Sequence, residues 1–254
     1  MSSHLIDQLP RPIIFGHRGA SLYAPENTLS AFIAAFKQGA SAIELDVMLS
    51  ADNKLIVIHD AAVKRTTNGS GQVNELTLAS LKKLDAGSKY SEQFKGEKIP
   101  TLEEVFDLTK GRYLVNIELK NYHDTGDSLL EKVMDLVVNS KMNDSVIFSS
   151  FLPRNIIKVR RNLPGVPVAL LTLGGMVGKL EISPFLRFIS PDFIHPNYKL
   201  IDDKYIQNEH AHHRRVNVWT VDDEINLRRF IQADVDGIIT NDPILALKIR
   251  ELPI

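Results

Sequence analysis

The chain has 254 residues, a formal net charge of −1, 44% hydrophobic residues and no cysteine. That profile excludes a disulfide-stapled miniprotein, a disordered chain and thiol catalysis, and the balanced charge gives no footing for non-specific nucleic-acid binding. No apolar run reaches the roughly 18 residues of a spanning helix, so stable membrane insertion is not expected.

The start, Met1-Ser2-Ser3-His4-Leu5-Ile6-Asp7, lacks both a basic stretch and a long apolar one. No signal peptide is read there, and a cytoplasmic location is expected. Composition says nothing about oligomeric state. The first strand spans 13–15 and ends in Gly16-His17-Arg18-Gly19. A helix over 28–38 follows, with Leu29, Phe32, Ile33 and Phe36 on its inner face. The second strand covers 42–48. With a period of two, Glu44 and Asp46 share one face and Ile43, Leu45 and Val47 the other. That pattern fits either a wet edge strand or two buried carboxylates compensated by a cation.

Residues 54–58 form another apolar run, only five residues further on. Parallel strands need a crossover of about a dozen residues, so this run should return antiparallel and bring His59 level with Glu44 and Asp46. Residues 60–98 read as an insertion with turn signals and one short helical patch over 76–84. Thr101 and Glu104 form a capping box opening the next helix. Strand and helix patterns then alternate: strand 113–119, helix 127–140, strand 146–149, helix 154–162, strand 168–171, helix 179–188, strand 193–195, helix 202–212, strand 216–220, helix 224–232, strand 237–240 and helix 243–251. The helix over 127–140 should bury Leu129, Leu130, Val133, Met134, Val137 and Val138. Asp242 caps the last helix and Pro243 occupies its first position. Setting the antiparallel return aside, eight strands each precede a helix. That order predicts an α/β fold, a (β/α)8 barrel with a small insertion after the second strand, as a single domain over 1–254. A doubly wound open sheet is the alternative.

Chemistry in such barrels lies at the C-terminal strand ends. His17, Glu44, Asp46, Asn116, Glu118, Lys120, Ser149, His195, Asn217, Trp219 and Thr240 all fall there. Three carboxylates (Glu44, Asp46, Glu118) suit Mg²⁺ or Ca²⁺ better than Zn²⁺. His17 and His59 can serve as general acid and base, and Arg18 and Lys120 suit a phosphoryl group. Together these groups point to an anionic, phosphate-bearing small-molecule substrate. Glu26 and Asn27 either cap the first helix or support the site, with Glu26 taken as a substrate contact, and Trp219 is either core or a substrate wall. His4, His123, His210, His212 and His213 read as structural or surface residues. Leu173-Gly174-Gly175-Met176 reads as a rim loop.

His17-Arg18-Gly19, Pro25-Glu26-Asn27-Thr28, Glu44-Leu45-Asp46-Val47 and His59-Asp60 resemble the glycerophosphodiester phosphodiesterases. So do Arg65-Thr66-Thr67-Asn68-Gly69, Ile99-Pro100-Thr101-Leu102-Glu103-Glu104, Ile117-Glu118-Leu119-Lys120, Val218-Trp219-Thr220-Val221 and Asp236-Gly237-Ile238-Ile239-Thr240. The resemblance implies a (β/α)8 barrel that hydrolyses glycerophosphodiesters to glycerol 3-phosphate and an alcohol. It implies Glu44, Asp46 and Glu118 as ligands of a divalent cation, His17 and His59 as the acid–base pair, and Arg18 and Lys120 on the phosphate. Two departures from the family pattern, at Asn241-Asp242-Pro243 and Asp222-Asp223, are expected at the rim and to bear on substrate preference alone. A lysophospholipase D acting on lipid-like phosphodiesters is the competing activity. It would want an apolar ramp, to which Phe151, Leu152, Leu173, Met176 and Phe185 could contribute.

Overall fold

The computed structural model describes residues 4–122, 128–172 and 189–252. Eight parallel strands close into a barrel: β1 (Ile13–His17), β2 (Ala42–Leu49), β4 (Leu114–Leu119), β5 (Val146–Ser150), β6 (Val168–Thr172), β7 (Phe193–Pro196), β8 (Arg215–Val218) and β9 (Gly237–Thr240). β1 pairs with both β2 and β9, and that double pairing closes the sheet and removes the open-sheet alternative. The remaining strand, β3 (Leu55–Val57), runs antiparallel on the outer end of β2 through Val47↔Val57 and Leu49↔Leu55. The backbone N–H of Ile58 then donates to Asp46 O at 3.0 Å, which sets His59 at the barrel mouth as the short connection demands.

The described helices are α1 (Leu29–Lys37), α2 (Leu78–Leu81), α3 (Leu102–Thr109), α4 (Leu129–Asn139), α5 (Pro153–Asn162), α6 (Asp203–Ala211), α7 (Glu224–Gln232) and α8 (Pro243–Glu251). Their starts are chemically marked. Thr28 accepts from the Ala31 N–H, Thr101 and Glu104 complete the capping box, and Asp242 accepts from the Leu245 N–H ahead of Pro243. The outward faces of the strands (Ile43, Leu45, Val47, Val115, Ile117, Leu119) pack under Phe32, Leu102, Val105, Leu129 and Val133. Each such side chain contributes about 1.5–3 kcal/mol by leaving water. Two residues expected inside lie outside: Ile33 and Val138 are exposed. Each sits on the flank of its helix, where the 100° step carries it past the face centred on Phe32 and Ala35 or on Val133 and Val137. The helical patch at 76–84 shrinks to the single turn of α2 behind its Thr77 cap. The expected helix over 179–188, the rim loop at 173–176, His123 and Phe185 lie outside the described residues.

The barrel interior is layered. Its floor is apolar, built from Ile13, Phe15, Ala42, Leu114, Ile147, Ala169, Phe193 and Ile239, with Ile6 of the N-terminal turn packed against it. One step up, the inward side chains turn polar on β1, β2, β4, β5 and β7 (His17, Glu44, Asn116, Ser149 and His195), while β6 keeps the apolar Leu171. β3 and the insertion carry a satellite core of their own, Ile56, Ile58, Val63, Val73, Leu81, Ala86 and Ile99. No helix among the described residues is long and apolar enough to cross a membrane.

Candidate active site

The register across β1, β2 and β4 lines up the polar layer. His17 lies beside Glu44, Glu44 beside Asn116, and Asp46 beside Glu118. Carboxylate oxygens of Glu44, Asp46 and Glu118 all fall within 4.8 Å of one another. The three residues are 4%, 0% and 9% exposed, so the wet edge-strand reading of β2 is wrong. Burial and the neighbouring Asp46 and Glu118 charges push the Glu44 carboxyl well above its usual range, and burial and Asp46 push Glu118 up. Asp46 goes the other way. Burial pushes it up, but Arg18, Lys120 and His59 outweigh that and leave it lowered. Oδ1 of Asp46 is buried and accepts no hydrogen bond; the nearest cation, Lys120 Nζ, stands 3.5 Å away. A dense hard-oxygen cluster with an orphaned acceptor, two of whose members resist ionising, fits a divalent cation of the Mg²⁺ or Ca²⁺ type.

Two cations flank the cluster. Arg18 Nε lies 3.3 Å from Asp46 Oδ2, and the Arg18 backbone N–H donates to Glu44 Oε2 at 3.1 Å. Lys120 Nζ donates to Glu118 Oε1 at 3.0 Å. Burial works against the charge of both, but the carboxylates beside them hold their pKa values above normal. The turn that delivers Arg18 depends on Gly19, whose φ is +88° and whose absent Cβ would sit 2.6 Å from the Ala31 backbone of α1.

The two histidines face the same cavity, of about 180 Å³, together with Arg18, Glu44, Glu118 and Lys120. Nε2 of His17 is 3.9 Å from Glu44 Oε2, while its Nδ1 is 2.7 Å from Asn241 Oδ1. Burial and then the Arg18 charge lower the His17 pKa to about 4, so the ring is neutral at neutral pH. His59 reaches the cavity from beyond β3, and its Nδ1 is 2.6 Å from Asp60 Oδ1. Arg65 ties this end together. Its Nε donates to Asp60 Oδ2 at 2.5 Å, and its two terminal nitrogens donate to Glu26 at 2.7 and 2.8 Å.

Glu26 does not line that cavity. It accepts from Arg18 at 2.9 Å as well as from Arg65, so it stands behind Arg18. Asn27 reaches inward instead, donating to Asp46 Oδ2 at 2.8 Å. Trp219 does line the cavity, anchored by its Nε1–H on His195 O at 2.7 Å. Phe151 stands edge-on to it at 6.0 Å, and Tyr122 edge-on to Phe151 at 5.8 Å, which makes one continuous aromatic wall. Tyr122 also donates to Glu118 Oε1 at 2.8 Å. The sequence reading missed Tyr122, although it lies two residues past Lys120 in the same alternation. His195 is buried below the cavity beside Asn217, 2.9 Å away, and does not line it.

The two departures from the family pattern prove to be one feature. Asn241 Nδ2 donates to Asp222 Oδ2 at 2.6 Å, and the other end of the same amide is the Asn241 oxygen that meets His17. Asp222 and Asn241 therefore stand directly behind a cavity histidine.

Comparison with known proteins identifies the family. The model of the glycerophosphoryl diester phosphodiesterase family matches residues 17–245. A glycerophosphodiester phosphodiesterase of Caldanaerobacter subterraneus is 40% identical over 92% of this chain and 95% of its own length. One from Bacillus altitudinis is 36% identical over 94% of this chain and 98% of its own. Among solved structures, the Agrobacterium tumefaciens glycerophosphodiester phosphodiesterase superposes with a TM-score of 0.79 at 31% identity, covering 92% of this chain and 98% of that one. An Oleispira antarctica phosphodiesterase solved with its product sn-glycerol-3-phosphate gives 0.84 at 26% identity, over 97% and 98%. The chain belongs to the glycerophosphoryl diester phosphodiesterase family.

Proposed function

We propose that this chain is a metal-dependent glycerophosphodiester phosphodiesterase that releases glycerol 3-phosphate and an alcohol, with His17 and His59 as its proton-transfer pair. The observation that carries the reading is the single mouth where three buried carboxylates, two imidazoles and two cations meet. The product held by the Oleispira relative supports the same substrate class. The barrel and its insertion at 60–98 act as one catalytic domain.

Glu44, Asp46 and Glu118 hold the divalent ion, Mg²⁺ or Ca²⁺. When bound, it supplies charge neutralisation and Lewis-acid polarisation at the phosphoryl group. Arg18 and Lys120 bind the phosphoryl oxygens and offset charge that grows in the transition state. Glu26 orients Arg18, and Trp219 walls the substrate. Nε2 of His17, bare while Nδ1–H is spent on Asn241, takes the proton of the attacking oxygen as the new P–O bond forms. His59, oriented by the Asp60 carboxylate on its Nδ1 side, gives its proton to the alkoxide leaving phosphorus.

Phosphorus NMR of glycerophosphocholine turnover tests the reading. The expected record is conversion to glycerol 3-phosphate only when Mg²⁺ or Ca²⁺ is present. A transient cyclic phosphate identifies the glycerol 2-hydroxyl as attacker, and its absence identifies water. No turnover of any glycerophosphodiester in the presence of both ions refutes the assignment.

A further inference from the structure

Asp222 sits on the far side of Asn241 from His17. Its Oδ2 accepts from Asn241 Nδ2 at 2.6 Å. Its Oδ1 accepts from the Asn241 backbone N–H at 2.8 Å and from Thr240 Oγ1 at 3.1 Å. An ionised carboxylate only accepts, so the amide must turn its NH₂ toward Asp222. Flipping it would set two acceptor oxygens about where Nδ2 and Oδ2 now meet. The amide oxygen is thereby committed to the other side. There it lies 2.7 Å from His17 Nδ1 and takes the Ser21 hydroxyl at 2.6 Å. An oxygen opposite a ring nitrogen requires that nitrogen to carry the hydrogen. In a neutral imidazole the other nitrogen is then bare. Nε2 is the one on the carboxylate side, 3.9 Å from Glu44.

We propose that Asp222 is a positioning residue for His17: by locking the Asn241 amide it selects the imidazole tautomer protonated at Nδ1 and presents a bare Nε2 to the substrate side. The inference rests on the proposed function in one respect, that His17 moves a proton. Asp222 touches no reacting atom. Its hydrogen-bonded link to His17 runs through one amide, and its own side chain is exposed at the rim, so replacing it leaves the core intact.

The test is nitrogen-15 NMR of the histidine rings in the full chain, at neutral pH with Mg²⁺, alongside steady-state kinetics on glycerophosphocholine. In the wild type the His17 signals should show one protonated nitrogen, Nδ1, and one bare nitrogen, Nε2. In Asp222→Asn the amide at 241 is free to flip, so the His17 signals should become a mixture of tautomers. There kcat should fall about tenfold to a hundredfold with KM little changed. The exchanged pair, Asp222→Asn with Asn241→Asp, again places an acceptor on Nδ1 and a donor behind it. It should restore the Nδ1–H signal and recover most of kcat. An unmixed Nδ1–H signal in Asp222→Asn, a kcat within about twofold of wild type, or no recovery in the exchanged pair overturns the proposal. If His17→Ala turns over normally, the proton-transfer reading fails, while the ring signals still decide what Asp222 does to the tautomer.

Discussion

Nδ1 of His59 lies 2.6 Å from Oδ1 of Asp60, so the proton on that side of the ring is held by the carboxylate of the very next residue. Arg65, then His59, hold Asp60 down at about 2 against the effect of its partial burial, so the carboxylate stays charged across any ordinary assay range. Asp60→Asn keeps the shape and removes that charge. It should lower kcat about tenfold to a hundredfold and leave KM nearly unchanged. A kcat equal to wild type would show that the dyad is ornamental.

His17→Ala and His59→Ala should each cut turnover by about two to four orders of magnitude. Both side chains face the cavity rather than the apolar floor, so circular dichroism and Tm should change little. Near-normal turnover in a folded variant removes that histidine from the mechanism.

Chelation by EDTA should abolish activity, and Mg²⁺ or Ca²⁺ should restore it. The raised carboxyls of Glu44 and Glu118 add a sign. A group whose folded pKa exceeds its unfolded value stabilises the fold while protonated and loses that contribution as pH rises through the folded pKa. The Tm of the metal-free protein should therefore fall as pH rises above the usual glutamate range. The gain from adding cation should grow in the same direction, and binding should release protons. Calorimetry in buffers of different ionisation enthalpy reads that release directly. Glu44→Gln should abolish cation binding yet raise the metal-free Tm, by about 2–4 °C for each kcal/mol of repulsion relieved. A metal-free Tm that climbs with pH would contradict this account of the cluster.

Trp219→Ala opens one end of the aromatic wall shared with Phe151 and Tyr122. KM for glycerophosphocholine should rise about tenfold, near 1.4 kcal/mol of binding, with a smaller change in kcat. Long-chain lysolipids should be poorer substrates than glycerophosphocholine. Faster turnover of the lysolipid would shift the assignment to a lysophospholipase D.

Much of the site was legible because strand periodicity carries it. Glu44 and Asp46 had to share a face, Glu118 and Lys120 had to share another, and a five-residue gap left the chain no way to continue parallel after β2. What escaped was contact between distant positions with no period to betray it. Arg65 reaches Glu26 across 39 residues, and Asn241 reaches Asp222 across 19. Read one at a time, Glu26 looked like a substrate contact and Asn241 like a rim variation. Each takes its meaning from a partner that only the folded chain supplies. Ile33 and Val138 failed for a simpler reason: an apolar residue on a helix flank satisfies the pattern without being covered.

His59 is carried by the chain that leaves β2 and turns back, not by the barrel wall, and that excursion is fastened to the wall by Arg65 on Glu26 and by Tyr90 on the Leu22 carbonyl. In the function proposed above, the ion would rest on the barrel wall alone, whereas proton transfer would need both the wall and the excursion. A chain whose excursion has come undone would still gather its three acidic groups, but it would be left with half of the proposed proton relay. Under mild denaturant this enzyme should fall silent before it lets go of its ion.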